Sequence, residues 1–469
     1  MIATAGPLTL PDTLQSSGPA ATPTGKPTRK VLPLETFNAI LYNGTDTASN
    51  LTERSLFDPE HLVERGLFDR EEEKEKVLRK RRLQIRATCV DSSANDVYIT
   101  SMFYYGGAGT VVYLCPYATI TTTNAIFFSA SNQILTTYGN PQDASRAIIR
   151  VAGSSQSVAV YGAIDGANQI MLRNVIVDGS RQTLGLITGG SALLEFGGSN
   201  YGQQVVQVKA YEPRGWSVLH AAEGSGNSCT SIAILNNDIG PSGHAPSGAT
   251  QFRKRDSTGY YPPGQWADGI SLACKNSQVY QNLITDATDG GIVIFGAPGS
   301  LISENRIVSS DRQLLGGINM VDYSPFAGSF VGTVVQDNNI VAQGSMIKVG
   351  IAMGGMIWGV DNRTSSRTYG GLVQNNHFTS GTTGYFGFGI ATSGHNAATI
   401  KGNVFTKSNY GGVDSTACFT AYYPLPAPEA LVGDPYTCTG NSFQTPTDLR
   451  QTIVLAICRG PGPITGTIS

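Results

Sequence analysis

Beyond residue 90 the chain lacks the apolar spacing of three and four that marks an amphipathic helix. It carries short β-branched runs bounded by Gly, Asn, Ser and Asp, which predict many short strands. One tripeptide recurs through them: Asn174-Val175-Ile176, Asn237-Asp238-Ile239, Asn282-Leu283-Ile284, Asn305-Arg306-Ile307, Asn338-Asn339-Ile340, Asn376-His377-Phe378, Asn403-Val404-Phe405 and Asn441-Ser442-Phe443. The shortest step, Asn282 to Asn305, is 23 residues, the length of one coil of a parallel β-helix, and longer steps fit a coil plus an insertion. Asn suits such a turn because it tolerates left-handed backbone and its amide can bond from coil to coil. The residue after each Asn should face outward and the Ile or Phe inward.

A second repeat runs through Gly269-Ile270-Ser271-Leu272, Gly291-Ile292-Val293-Ile294, Gly317-Ile318-Asn319-Met320, Gly350-Ile351-Ala352-Met353 and Gly389-Ile390-Ala391-Thr392. Alternation places Ser271, Val293, Asn319, Ala352 and Ala391 outside and their apolar neighbours inside. Both repeats predict an all-β fold: a single-stranded right-handed parallel β-helix, a solenoid with loop insertions, over residues 83–469. The hand follows from strand twist and the crossover rule. The polar, Gly- and Pro-rich stretches 240–265 and 355–371 read as loops leaving the coils, and long loops of this kind usually serve as walls or lids.

Seven cysteines without a CxxC pair predict no metal site and suit a large secreted domain with a few bridges and one spare thiol. Cys229 and Cys274 each lie eight residues before a ladder Asn. On adjacent coils they should meet at the rung spacing, as a disulfide or a thiol pair.

A net charge of −2 excludes a global basic field, so nucleic acid is a poor partner, and no apolar run is long enough to span a membrane. Residues 1–82 lack the core pattern and read as a propeptide-like or disordered region. Arg79-Lys80-Arg81-Arg82 fits a fungal-type dibasic processing site, or else closes a solvated charged helix. The start shows no secretory signal, so a leader is expected upstream. The sequons at Asn43, Asn50 and Asn362 agree with secretion.

A β-helix offers an outer face along which a linear polymer can lie, with carboxylates on neighbouring rungs close enough for glycoside hydrolysis. Asp268, Asp286, Asp289 and Asp322 fall on three consecutive predicted coils, with Trp216, Trp266 and Tyr323 nearby to stack on sugars. Arg214, Arg312 and Lys348 are candidate substrate contacts. His220, beside Glu212 and Glu223, could line the same groove, although an isolated His is more often structural. The scattered histidines fit neither a His-based metal site nor a hydrolase triad.

These coils resemble the polygalacturonase family of pectin-degrading β-helix glycosidases, over residues 266–348. Trp266-Ala267-Asp268, Thr288-Asp289, Leu315-Gly316-Gly317 and Met346-Ile347-Lys348 follow the order of that family's four motifs. The resemblance implies that Asp268 and Asp289 activate water and that Lys348 meets a substrate carboxylate. It supplies no general acid, because Thr288 and Gly316 replace the family's Asp and His; Asp286 and Asp322 are the substitutes. The pattern also resembles fungal β-helix proteins of unassigned activity.

The expected function is a secreted, monomeric glycoside hydrolase acting on a polysaccharide without a cofactor. A lyase or epimerase of uronic-acid polymers is the alternative within the enzymes, and a non-catalytic glycan-binding or cell-surface protein the alternative outside them. Mass spectrometry of the secreted protein should find its N-terminus near Leu83; an intact residue 1 contradicts the propeptide.

Overall fold

The computed structural model describes residues 89–244, 265–358, 366–414, 425–444, 448–449 and 456–469. The propeptide region, the three sequons and most of the 240–265 loop lie outside them.

The strands form three long sheets of ten, nine and thirteen members, parallel except at the C-terminal end. Each coil gives one strand to each sheet in turn. Gln278–Tyr280, Leu283–Thr285 and Gly290–Ile294 make one coil. Leu301–Ser303, Arg306–Ser309 and Leu314–Met320 stack on it as the next. The protein is therefore the parallel β-helix that the repeats predict.

Inside, every sheet contributes a column of apolar side chains at matching register. In the first sheet Val205, Ile234, Val279, Ile302, Val335 and Val373 stack rung upon rung, all fully buried. Ile239, Ile284, Ile307, Ile340 and Phe378 do so in the second. The third supplies Leu219, Ile270, Ile292, Ile318, Ile351 and Ile390. Burying each such side chain is worth about 1.5–3 kcal/mol.

The asparagine ladder sits at the turn from the first sheet to the second. Asn237, Asn282, Asn305, Asn338, Asn376 and Asn403 are buried and joined Nδ2–H to Oδ1 at 2.8–2.9 Å. The other Nδ2 proton of Asn305 goes to the Val279 carbonyl of the coil behind, and its Oδ1 also accepts the backbone N–H of Asn282. Gln444 ends the series by accepting from Asn403.

Three details differ from expectation. The left-handed residue is the one before the ladder Asn, namely Asn236, Gln281, Glu304, Asp337 and Asn375, with φ of 54–56°. Asn174 occupies that preceding column, and its amide bonds Gln207. Asn441 bonds Ala398 and His395 instead, at the turn from the third sheet to the first.

The repeated glycines have a separate cause. A Cβ on Gly269, Gly291, Gly317, Gly350 or Gly389 would stand 2.4–2.6 Å from the carbonyl oxygen of the next coil. It would also strike the second-sheet core, at Ile284, Ile307, Ile340, Phe378 or Phe405. Hydrogen is the only side chain that fits.

The ends are plugged. Helix α1, Asp96–Gly106, begins at Asn95, whose side chain accepts the Tyr98 N–H, and it buries Ile99 and Phe103 over the first coil. Its apolar pattern does not show a clean helical stripe, because it covers the end of a solenoid and tertiary burial outweighs intrinsic propensity. At the other end, Arg459–Ile468 pairs antiparallel with Ser408–Asp414. Disulfides join Cys89 to Cys115 and Cys229 to Cys274, the second as the register predicts. Cys458 is also in a disulfide, and Cys438 is a free thiol.

Asn305→Ala should lower stability by about 2–5 kcal/mol, read from the denaturation midpoint, because two buried donors of Asn282 lose their acceptor. A second expectation concerns His395, fully buried between the Thr368 hydroxyl at 2.7 Å and the Gly370 carbonyl at 2.8 Å. Burial holds its pKa at about 4, below the ordinary 6.5. Its contribution is complete above pH 6.5 and is lost as pH falls towards 4. Wild type should lose up to roughly 3 kcal/mol across that window, a slope that His395→Gln should lack.

Candidate active site

The outer face of the third sheet carries two outward-facing columns set by register. One runs Tyr161, Glu195, His220, Ser271, Val293, Asn319, Ala352 and Ala391, one residue per coil. The other begins Ser217, Asp268 and continues through Gly290 to Gly316. Asp268 and Ser271 both face outward, although three residues apart, because Gly269 between them points at the core.

Asp268 is buried at the centre of the face. Its Oδ1 accepts the Gly290 N–H at 2.9 Å and its Oδ2 the Ser271 hydroxyl at 2.9 Å. Ser271 also meets Ser217, Oγ to Oγ, at 2.9 Å. Asp289 directly precedes Gly290 on the next rung, half-buried, with its N–H bonded to the Ala267 carbonyl. Asp289 thus lies next to Gly290, the residue on the following rung whose N–H Asp268 accepts.

The two substitute acids lie elsewhere. Asp286, with φ 51°, closes the turn from the second sheet to the third. Its Oδ1 accepts three backbone N–H groups, from Ser310, Asp311 and Arg312, at 2.7–3.2 Å. That commitment makes it a turn clamp and speaks against proton donation. Asp322 follows the strand whose other end lies beside Asp289, which puts them about 20 Å apart along the strand direction. Tyr323 is exposed beside it.

The predicted substrate contacts divide likewise. Trp216 is half-buried and meets the His220 ring edge-on at 4.9 Å, in position to offer a stacking surface. Trp266 is buried in a second apolar cluster with Leu315, Val349, Phe388 and Ala391. Arg214 is buried, and its guanidinium donates to the carbonyls of Gly153, Ser154, Gln156, Leu184 and Gly185. It staples loops together. Arg312 bridges the Gly243 carbonyl at 2.6 Å and Glu212 at 2.7 Å.

Lys348 is fully buried, and desolvation pulls its pKa down to about 7. On the outer face beside it, Leu425, Ala456 and Cys458 of the C-terminal segment cluster with Val349, Phe388 and Ala391. Arg459 lies over the Phe388 ring at 5.2 Å. Lys348 is thus shut off from solvent, which speaks against its contact with a substrate carboxylate.

Sequence reasoning passed over Glu195 and gave His220 little weight. Their side chains meet across one rung, Nδ1 to Oε2, at 2.8 Å. The signal was present: carrying the outward series one coil back from Ser271 reaches His220, and one further reaches Glu195.

Among the described residues no group of three or more His, Cys, Asp and Glu side chains is placed to hold a metal ion, and no helix is long and apolar enough to cross a membrane.

No protein-family model and no curated protein matches the chain. Solved structures do. PfbA, a surface adhesin of Streptococcus pneumoniae, is similar at 11% identity and a TM-score of 0.44, over 76% of this chain and 89% of that one. A DFA-IIIase from Arthrobacter chlorophenolicus A6, in complex with DFA-III, matches at 14% and 0.40, over 79% and 95%. The mannuronan C-5 epimerase AlgE4 A-module of Azotobacter vinelandii matches at 12% and 0.32, over 77% and 95%. All have the pectin-lyase-like parallel β-helix fold. Similarity this distant leaves the chemistry to the side chains of this chain.

Proposed function

We propose that this protein is an extracellular polysaccharide-cleaving enzyme, a glycoside hydrolase whose site is the outer face of the third sheet around Asp268 and Asp289. What supports the reading is the nearness of the two acids in the coil stack: Asp268 accepts the N–H of Gly290, the residue directly after Asp289. Trp216 and His220 stand on the rung before Asp268.

Asp289, half-buried, is the group that reaches an attacking water and takes its proton. Asp268 holds the backbone at Gly290 and the hydroxyl of Ser271, and so positions its neighbour more than it contacts substrate. Trp216 offers a ring face to a sugar. The disulfides support an oxidising compartment.

The lyase or epimerase reading needs a cation to neutralise a uronate carboxylate. Arg214 and Arg312 are committed to protein acceptors, and Lys348 is fully buried. A non-uronate glycan fits this face better.

The purified mature chain is to be screened against a polysaccharide panel for reducing ends and near-ultraviolet absorbance together. Reducing ends should appear without the absorbance of an unsaturated product. Asp289→Asn should lower turnover by about 10²- to 10⁴-fold with an unchanged circular dichroism spectrum and retained glycan binding. Glycan binding without turnover in the wild type refutes the enzyme.

A further inference from the structure

We propose that His220 is the proton donor of this site, the acid that the carboxylate pair does not supply, oriented across one rung by Glu195. The inference rests on the glycan-cleaving reading above.

Glu195, in strand Leu194–Gly197, and His220, in strand Ser217–Ala222, are register partners in the third sheet. Glu195 Oε1 is held by the Ala192 N–H at 3.0 Å, which points Oε2 at His220 Nδ1, 2.8 Å away. An ionised carboxylate only accepts, so Nδ1 carries a hydrogen and Nε2 is the nitrogen left for other work. Nε2 makes no protein hydrogen bond among the described residues, and the side chain keeps 18% of its surface open. Trp216 fixes the ring from one edge, and Ser271 lies on the following rung.

The charges around the ring agree with this role. Burial pulls the His220 pKa down, but Glu195, Glu223 and Asp268 more than offset it, so the imidazolium persists above the ordinary 6.5. Tyr161, on the rung before, has its own pKa pushed up by burial and by Glu195, and it stays neutral. A cation held near neutrality beside a sugar platform is the state a general acid requires.

The step balances as a hydrolysis. The glycosidic C–O bond breaks, and the leaving oxygen takes the Nε2 proton of His220. Water oxygen bonds to the anomeric carbon and gives its proton to Asp289. His220 is recharged from solvent at its open edge. Asp268 is one rung and three residues away, so its charge reaches His220 without occupying Nε2.

The test compares wild type, His220→Gln, Glu195→Gln and Asp289→Asn on the cleaved polysaccharide and on an aryl glycoside whose leaving group needs no proton. His220→Gln should lose about 10²- to 10⁴-fold on the polysaccharide yet stay within about tenfold of wild type on the aryl glycoside. Glu195→Gln keeps the shape of the side chain. It should move the alkaline limb of the pH profile to lower pH and lower the His220 pKa measured by NMR titration. Equal loss on both substrates in His220→Gln, or an alkaline limb unmoved in Glu195→Gln, overturns the acid role. An inactive Asp289→Asn would leave the hydrolase reading intact in that case. If Asp289→Asn remains active while His220→Gln fails on the polysaccharide alone, the carboxylate assignment falls and the acid assignment stands.

Discussion

The hydrogen bonding of each coil to the next sets everything else in this molecule. Parallel pairing alone leaves the register free to slip, and a slip of one residue would exchange inner and outer faces. The asparagine ladder prevents it. Each buried amide is satisfied only if its neighbours stand directly above and below, as Asn282, Asn305 and Asn338 do. A misregistered coil would strand polar groups in an apolar interior, at about 1–3 kcal/mol for each.

A second constraint comes from the third sheet, where Gly269, Gly291, Gly317, Gly350 and Gly389 let its backbone close on the second-sheet core. This contact turns the start of each third-sheet strand so that two side chains three residues apart face out together. Asp268 and Ser271 bond each other for that reason. Packing of the core and placement of the polar site thus share one cause.

The outer face is divided along its length. From Glu195 to Asn319 it is polar apart from Val293, while over Val349, Phe388 and Ala391 it is apolar and covered by the C-terminal segment. The cover spares the apolar patch from water. It leaves the polar half as the stretch to which we assign carbohydrate chemistry. Glu195 and His220 contact each other there because consecutive rungs stand about 4.8 Å apart, a spacing at which long side chains meet.

Fold and register were legible in the sequence because they are periodic: Asn-x-Ile and Gly-Ile-x-Leu repeat on each coil, and repetition survives without knowledge of long-range contacts. The Cys229–Cys274 bridge followed from the same spacing. What no periodicity encodes is the loops and the ends. Asp286 looks like any other acid in sequence, and only the path of Ser310–Arg312 around it makes it a clamp. Arg214 reads as a substrate contact until the carbonyls of residues 153–156, from another coil, are seen around its guanidinium. Lys348 reads as a substrate contact in the repeat, yet it is fully buried. Local pattern determines what a residue repeats with, whereas burial and hydrogen-bond partners depend on distant chain, which only the tertiary structure decides.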